Sequence, residues 1–305
     1  MQTRPQLIGL IVLAVLAVTV AEAQTFRQRL ENARTASLQP AATLAPLPPG
    51  ARALRDIAYG SDPRQRFDVY LPAQPRNAPI ILMVHGGGWA FGNKDSPGVV
   101  ENKAAHWLPK GYVLVSANYR MRPDTAPLDQ ARDIARALAK VQELAPEWQA
   151  DPSRVVLMGH SAGAHLVALV GASSKLWREA GAQRPRGVVS LESGAMDVPA
   201  MMARRFKLPL YELAFGDDPK QWTAASPYHQ LTRYALPMLI VCSSQRRDSC
   251  PQGQALVDKA KTLGVVMTVL PEDLSHGEIN KELGKPSAYT EAVDGFLVEV
   301  VAPSK

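Results

Sequence analysis

The run Gly159-His160-Ser161-Ala162-Gly163 constrains this chain more than any other stretch. It follows the apolar run 155–158 and precedes the apolar run 165–170. A short apolar run before a glycine predicts a buried strand, and the longer run beyond predicts a helix. A serine between the two occupies a sharp turn, with glycines where strand and helix pass closely. That turn would hold Ser161 Oγ out at the end of a sheet, with the first N–H groups of the helix aimed at the same place. Ser161 is therefore the candidate nucleophile. The competing reading is a chance pattern at a helix N-cap.

The rest of the chain supports a strand–helix alternation. Residues 56–59 and 66–71 read as first strands, and 72–77 as a turn. Residues 80–84, 112–117, 154–158, 187–191, 238–241 and 265–270 read as further strands, and 128–144, 161–172, 254–263 and 287–301 as helices. This order predicts an α/β fold: a mostly parallel central sheet with helices on both faces. Residues 197–235 break the rhythm, being longer than an ordinary connection. They carry Met201, Met202, Phe206, Phe215 and Trp222, and are expected to form a small lid insertion over a pocket. A crossover helix with its own packing is the alternative.

His85-Gly86-Gly87-Gly88-Trp89 follows the strand at 80–84. Glycines bring backbone N–H groups close to a ligand, and preset donors stabilise charge where it develops. The N–H groups of Gly87, Gly88 and Ala162 are the candidate oxyanion hole. Six histidines are present. His85 and His160 lie inside the two motifs, His106 and His165 within predicted helices, and His229 ahead of a strand. His276 lies in a loop after the last strand, where the order Ser, acid, His requires the base. Asp248 is the one acidic residue in the loop 243–252, so it is the expected acid. Its other possible roles are an N-cap, or a partner for Arg246 or Arg247. That arginine pair reads as solvated.

The N-terminus reads as an export signal. Arg4 precedes an uncharged apolar run, 7–20, which is followed by Ala21-Glu22-Ala23. The run is shorter than the ~20 residues of a spanning helix, so cleavage before Gln24 is expected; an uncleaved anchor is the alternative. The expected organisation is a signal peptide at 1–23, an extension and linker at 24–54 with a short helix near 26–36, and one domain at 55–305. Export predicts a secreted or periplasmic protein. It also makes a disulfide between Cys242 and Cys250, the two cysteines present, plausible. Two free thiols are the alternative. A bridge there would restrict the loop carrying Asp248. The net charge of +6 is dispersed, with no aromatic-interleaved basic stripe, so nucleic-acid binding is not expected. Neither a metal-ligand pattern nor a dinucleotide fingerprint is present.

These residues resemble the α/β-hydrolase superfamily, in its HGGG-bearing esterase and lipase branch, the hormone-sensitive-lipase-like bacterial carboxylesterases. The likeness runs over residues 55–301 and includes Asp68-Val69-Tyr70-Leu71-Pro72, Ser116-Ala117-Asn118-Tyr119-Arg120 and Ala225-Ser226-Pro227. It implies Ser161 as nucleophile, Asp248 and His276 as its partners, a small ester as substrate, and no metal or organic cofactor. One departure is the turn at 243–247, polar and basic where many members carry a glycine. Within the same fold the rivals are an arylformamidase-like amidase, a feruloyl or acetyl-xylan esterase, and a peptidase. The rival of another class is a binding protein that reuses the fold without catalysis. Oligomeric state is not legible.

Overall fold

The computed structural model describes residues 44–302. The signal peptide expected at 1–23 and the helix expected near 26–36 lie outside the described residues. The strands are β1 (Arg52–Ala58), β2 (Arg66–Leu71), β3 (Ala78–Val84), β4 (Val113–Ala117), β5 (Ala150–His160), β6 (Gly187–Leu191), β7 (Met238–Ser243) and β8 (Met267–Glu272). They form one eight-stranded sheet in the order β1-β2-β4-β3-β5-β6-β7-β8. β2 pairs antiparallel with β1 and β4. From β4 to β8 every pairing is parallel.

Alternation along the strands sorts the core into two layers. In β3, Ile80, Leu82 and Val84 face one cluster and Ile81 and Met83 the other. In β5, Val155 and Leu157 oppose Val156 and Met158 in the same way. A strand covered on both faces must be apolar at successive positions, which is why these read as continuous runs. One layer is closed by α2 (Pro127–Leu144), α3 (Ala162–Ala172) and α9 (Ser249–Thr262). The other is closed by α1 (Pro97–Trp107), α10 (His276–Glu282) and α11 (Ala288–Val301). In α2 the buried stripe Ala131, Ile134, Leu138 and Val141 follows the i, i+3, i+4 spacing of a helix with one face inward. All of α3 is buried, because it crosses the middle of the sheet. The helix α4 (Ser174–Glu179) follows it.

Residues 197–235 contain four short helices: α5 (Val198–Met202), α6 (Pro209–Phe215), α7 (Pro219–Ala224) and α8 (Pro227–Gln230). A proline stands in the first turn of each, where its missing N–H costs nothing and its fixed φ suits the helix. Met201, Met202 and Phe215 are buried in the core, whereas Phe206 is 86% exposed. Cys242 and Cys250 are joined by a disulfide.

Candidate active site

The C-terminal ends of β3, β5, β6, β7 and β8 deliver the site. β5 ends at His160 and α3 begins at Ala162, so Ser161 is the whole turn. Its φ of 57° and ψ of −115° lie in a region that costs an ordinary side chain strain energy. The turn is held by Ser161 N–H donating to the Leu191 carbonyl (2.9 Å) and by the Ser161 carbonyl accepting from His165 N–H (3.1 Å). Gly163 allows the close approach: a Cβ there would lie 2.3 Å from the Val84 carbonyl oxygen.

The glycine loop follows β3 and flanks the serine. A Cβ built on Gly86 would come 3.0 Å from Ser161 Cβ. Gly87 has φ +112°, and a Cβ there would fall 1.9 Å from the Phe91 carbonyl oxygen. The Gly87 carbonyl accepts from Ala90 and Phe91 N–H, at 3.1 and 3.0 Å. Neither Gly87 nor Gly88 donates its N–H to another backbone carbonyl among the described residues. Ala162 N–H opens a helix, where the first donors have no partner within the helix. Trp89 anchors the loop's far side, its indole N–H donating to His165 Nδ1 (3.1 Å) and its carbonyl accepting from Gln130 (2.8 Å). Leu210 of α6 packs over Gly88.

His276 is the first residue of α10. The segment expected as a loop is a short helix, with a capping box of Ser275 and Glu278 at its start. Ser275-His276-Gly277-Glu278 has the required spacing, so that signal was present in the sequence. His276 Nε2 stands 3.0 Å from Ser161 Oγ, and the side chain is 40% exposed. Its carbonyl accepts from His160 Nε2–H (2.8 Å). The Leu274 carbonyl accepts from Ser243 Oγ–H (2.6 Å). From the other side, buried Lys103 donates to the Asn280 carbonyl (2.6 Å), and burial pushes its amine down to about 7.

Asp248, the expected acid, makes no hydrogen bond or ion pair with His276 among the described residues. Its carboxylate meets the Arg246 guanidinium, with Nη2 at 3.1 and 3.2 Å from its two oxygens. It stands at the N-cap position of α9 without a side-chain capping bond. The carboxylate facing the imidazole is Glu192, immediately after β6, with Oε1 3.4 Å from His276 Nδ1. Glu192 is fully buried and takes φ 60°. Its Oε2 accepts from Ser243 N–H (2.6 Å) and Ser249 Oγ–H (2.5 Å). Its Oε1 accepts from Arg246 Nη1–H (2.8 Å). Burial pushes this carboxyl up, but the hydrogen bonds from His276, Ser249 and Ser243 and the Arg246 charge outweigh it and hold it below its usual range. Arg246 Nη1 also lies 3.0 Å from His276 Nδ1. The reading of Arg246 as solvated is thus corrected: its side chain is 25% exposed and bound into an ion cluster, because two carboxylates converge on it.

Three kinds of comparison bear on this site. A family model described as BD-FAE matches residues 67–255. Isoprenylcysteine alpha-carbonyl methylesterase of Arabidopsis thaliana is 32% identical over 115 residues, 37% of this chain and 26% of that protein. Kynurenine formamidase of Danio rerio is 28% identical over 173 residues, 55% of this chain and 56% of that protein. The chain thus spans between about a quarter and just over half the length of these relatives. A solved truncated form of a carbohydrate esterase from gut microbiota superposes with a TM-score of 0.72 at 18% identity, over 83% of this chain and 97% of that one. That likeness shows the α/β-hydrolase fold.

Proposed function

This chain belongs to the BD-FAE family, an α/β-hydrolase esterase family, and from that premise we propose that it is a serine esterase cleaving small carboxylic esters through an acyl-enzyme. The observation that carries the reading is the 3.0 Å contact between Ser161 Oγ and His276 Nε2. As Oγ bonds to the ester carbonyl carbon, its proton passes to Nε2. Negative charge then develops on the carbonyl oxygen, opposite the N–H groups of Gly87, Gly88 and Ala162. Collapse of this intermediate expels the alcohol, which takes the proton from Nε2. Water, deprotonated at the same nitrogen, releases the acid and restores the serine.

Residues 197–235 act as the lid in this reading. Support comes from Leu210 over Gly88 and from the Tyr211 and Phe215 rings against Trp89, at centroid distances of 6.1 and 4.9 Å. A secreted or periplasmic location is part of the same proposal. It rests on the leader-like residues 1–23 and on the Cys242–Cys250 disulfide, which an oxidising compartment would preserve. Among the described residues no helix is long and apolar enough to cross a membrane.

The test is steady-state hydrolysis of p-nitrophenyl acetate, butyrate and octanoate, with an acetylated sugar, methyl ferulate and an N-formyl anilide in the same panel. Short acyl esters are expected to turn over fastest. Ser161→Ala is expected to lower kcat by on the order of 10⁴-fold or more with unchanged melting. Full activity in that variant would refute the mechanism. Preference for the formyl anilide would move the assignment to an amidase.

A further inference from the structure

We propose that Glu192, rather than Asp248, is the carboxylate that orients His276, and that Asp248 acts on the imidazole only through Arg246. This rests on the serine-esterase reading and refines it. Four observations converge on it.

The first is direct geometry. Glu192 Oε1 is the carboxylate oxygen facing His276 Nδ1, at 3.4 Å, and both oxygens of Asp248 are taken up by Arg246 Nη2. A separation of 3.4 Å is long for a charge-assisted bond, and such bonds tighten when the substrate complex forms. The second is the pocket around Glu192. An ionised carboxylate without solvent needs several donors. Ser243 N–H, Ser249 Oγ–H and Arg246 Nη1–H supply them. Two of the three fall on Oε2, so Oε1 keeps capacity to accept from the imidazole.

The third is charge. Arg246 carries one positive charge, and Glu192 and Asp248 carry two negative ones. The cluster's net charge of −1 matches the +1 that appears on His276 when it takes the serine proton. Asp248 neutralises Arg246, which leaves the Glu192 charge for the imidazolium. Without Asp248, the guanidinium would oppose the charge that forms beside it. The fourth is the proton inventory of the ring. Arg246 Nη1 can donate to Nδ1 only when that nitrogen is bare, and His276 is then protonated at Nε2 and cannot act as base. In the base form Nδ1 carries the proton and donates it to Glu192 Oε1, while Arg246 keeps its bonds to the two carboxylates and to the Tyr211 side chain. The other titratable neighbours are His160, whose ring lies 4.8 Å from that of His276 and which burial pushes down to about 3, and Tyr211, which burial pushes up. Both are neutral at working pH.

The experiment compares wild type, Glu192→Gln and Asp248→Asn on p-nitrophenyl butyrate from pH 5 to 9, with thermal melts of each. Glu192→Gln is expected to lower kcat by on the order of 10²–10⁴-fold with KM changed by less than about threefold. It should also move the acid limb of the kcat/KM profile to lower pH, because an imidazolium that loses its carboxylate is easier to deprotonate. A purely structural role for Glu192 would not move that limb. Asp248→Asn is expected to lower kcat by less than about tenfold. The inference is overturned if Asp248→Asn costs about 10³-fold or more while Glu192→Gln stays within about tenfold. Should Glu192→Gln not fold, the Asp248→Asn result decides alone. Ser161→Ala in parallel separates the two levels: activity there defeats the hydrolase reading, whereas inactivity there with an active Glu192→Gln defeats only this inference.

Discussion

At the scale of single residues, the site rests on side chains held where their ordinary chemistry is suppressed. His85, His160 and His165 are buried, and burial pushes them down to about 3, about 3 and about 4 respectively. In the unfolded chain each would titrate near 6.5. Between those values the unfolded state binds more protons than the folded one. The stability these histidines confer is therefore complete above about pH 6.5 and is lost as pH falls toward their folded values. Each titrating histidine contributes a slope of up to about 1.4 kcal/mol per pH unit. Melting temperature is accordingly predicted to fall between pH 6.5 and 5, before carboxylates begin to titrate. A flat melting curve across that window would show that these rings gain protons without unfolding the chain. Ser161 and His276 were legible in the sequence because a glycine motif and a position after the last strand mark them. Glu192 was not, because one acidic residue after an apolar strand has no motif of its own. The usable signal was its place: Leu191 ends β6, and β6 lies beside the strand that carries the nucleophile. Arg246 looked solvated because sequence shows a charge but not the two carboxylates folded around it.

At the scale of elements, the parallel strands were legible from their apolar runs, and 187–191 matches β6 at both ends. The ends of β5 and β7 were harder. β5 begins at Ala150 with half-buried polar residues, and β7 runs on through Cys242 to Ser243, so hydrophobicity alone stops short in both. The loop between β7 and α9 matters most. Its disulfide spans eight residues of sequence, and between the two cysteines lie Ser243, Arg246, Asp248 and Ser249. Two of these donate to Glu192 Oε2. The bridge therefore bears on the Glu192 pocket as well as on Asp248. Replacing both cysteines by serine is predicted to cost about 2.5 kcal/mol of stability from loop entropy, with a drop in kcat and little change in KM. Denaturant melts and steady-state kinetics of the double variant check this. Unchanged values in both would mean that the loop holds its shape without the bridge.

At the scale of the whole molecule, the sheet does the positioning. Six neighbouring parallel strands end on one side, and three widely separated stretches of chain meet there: the glycine loop after β3, the Ser161 turn after β5 and His276 after β8. An α/β fold binds ligands at the C-terminal ends of its strands, so the architecture and the motifs point to one place. The partial overlap with the relatives leaves the substrate to experiment. The most direct measurement is labelling with a fluorophosphonate probe, followed by peptide mass spectrometry. One covalent adduct on the peptide containing Ser161 is predicted, with labelling slowed severely in His276→Ala. No adduct on the folded protein, under conditions that label a known serine esterase, would contradict the account and leave a binding protein built on a hydrolase fold.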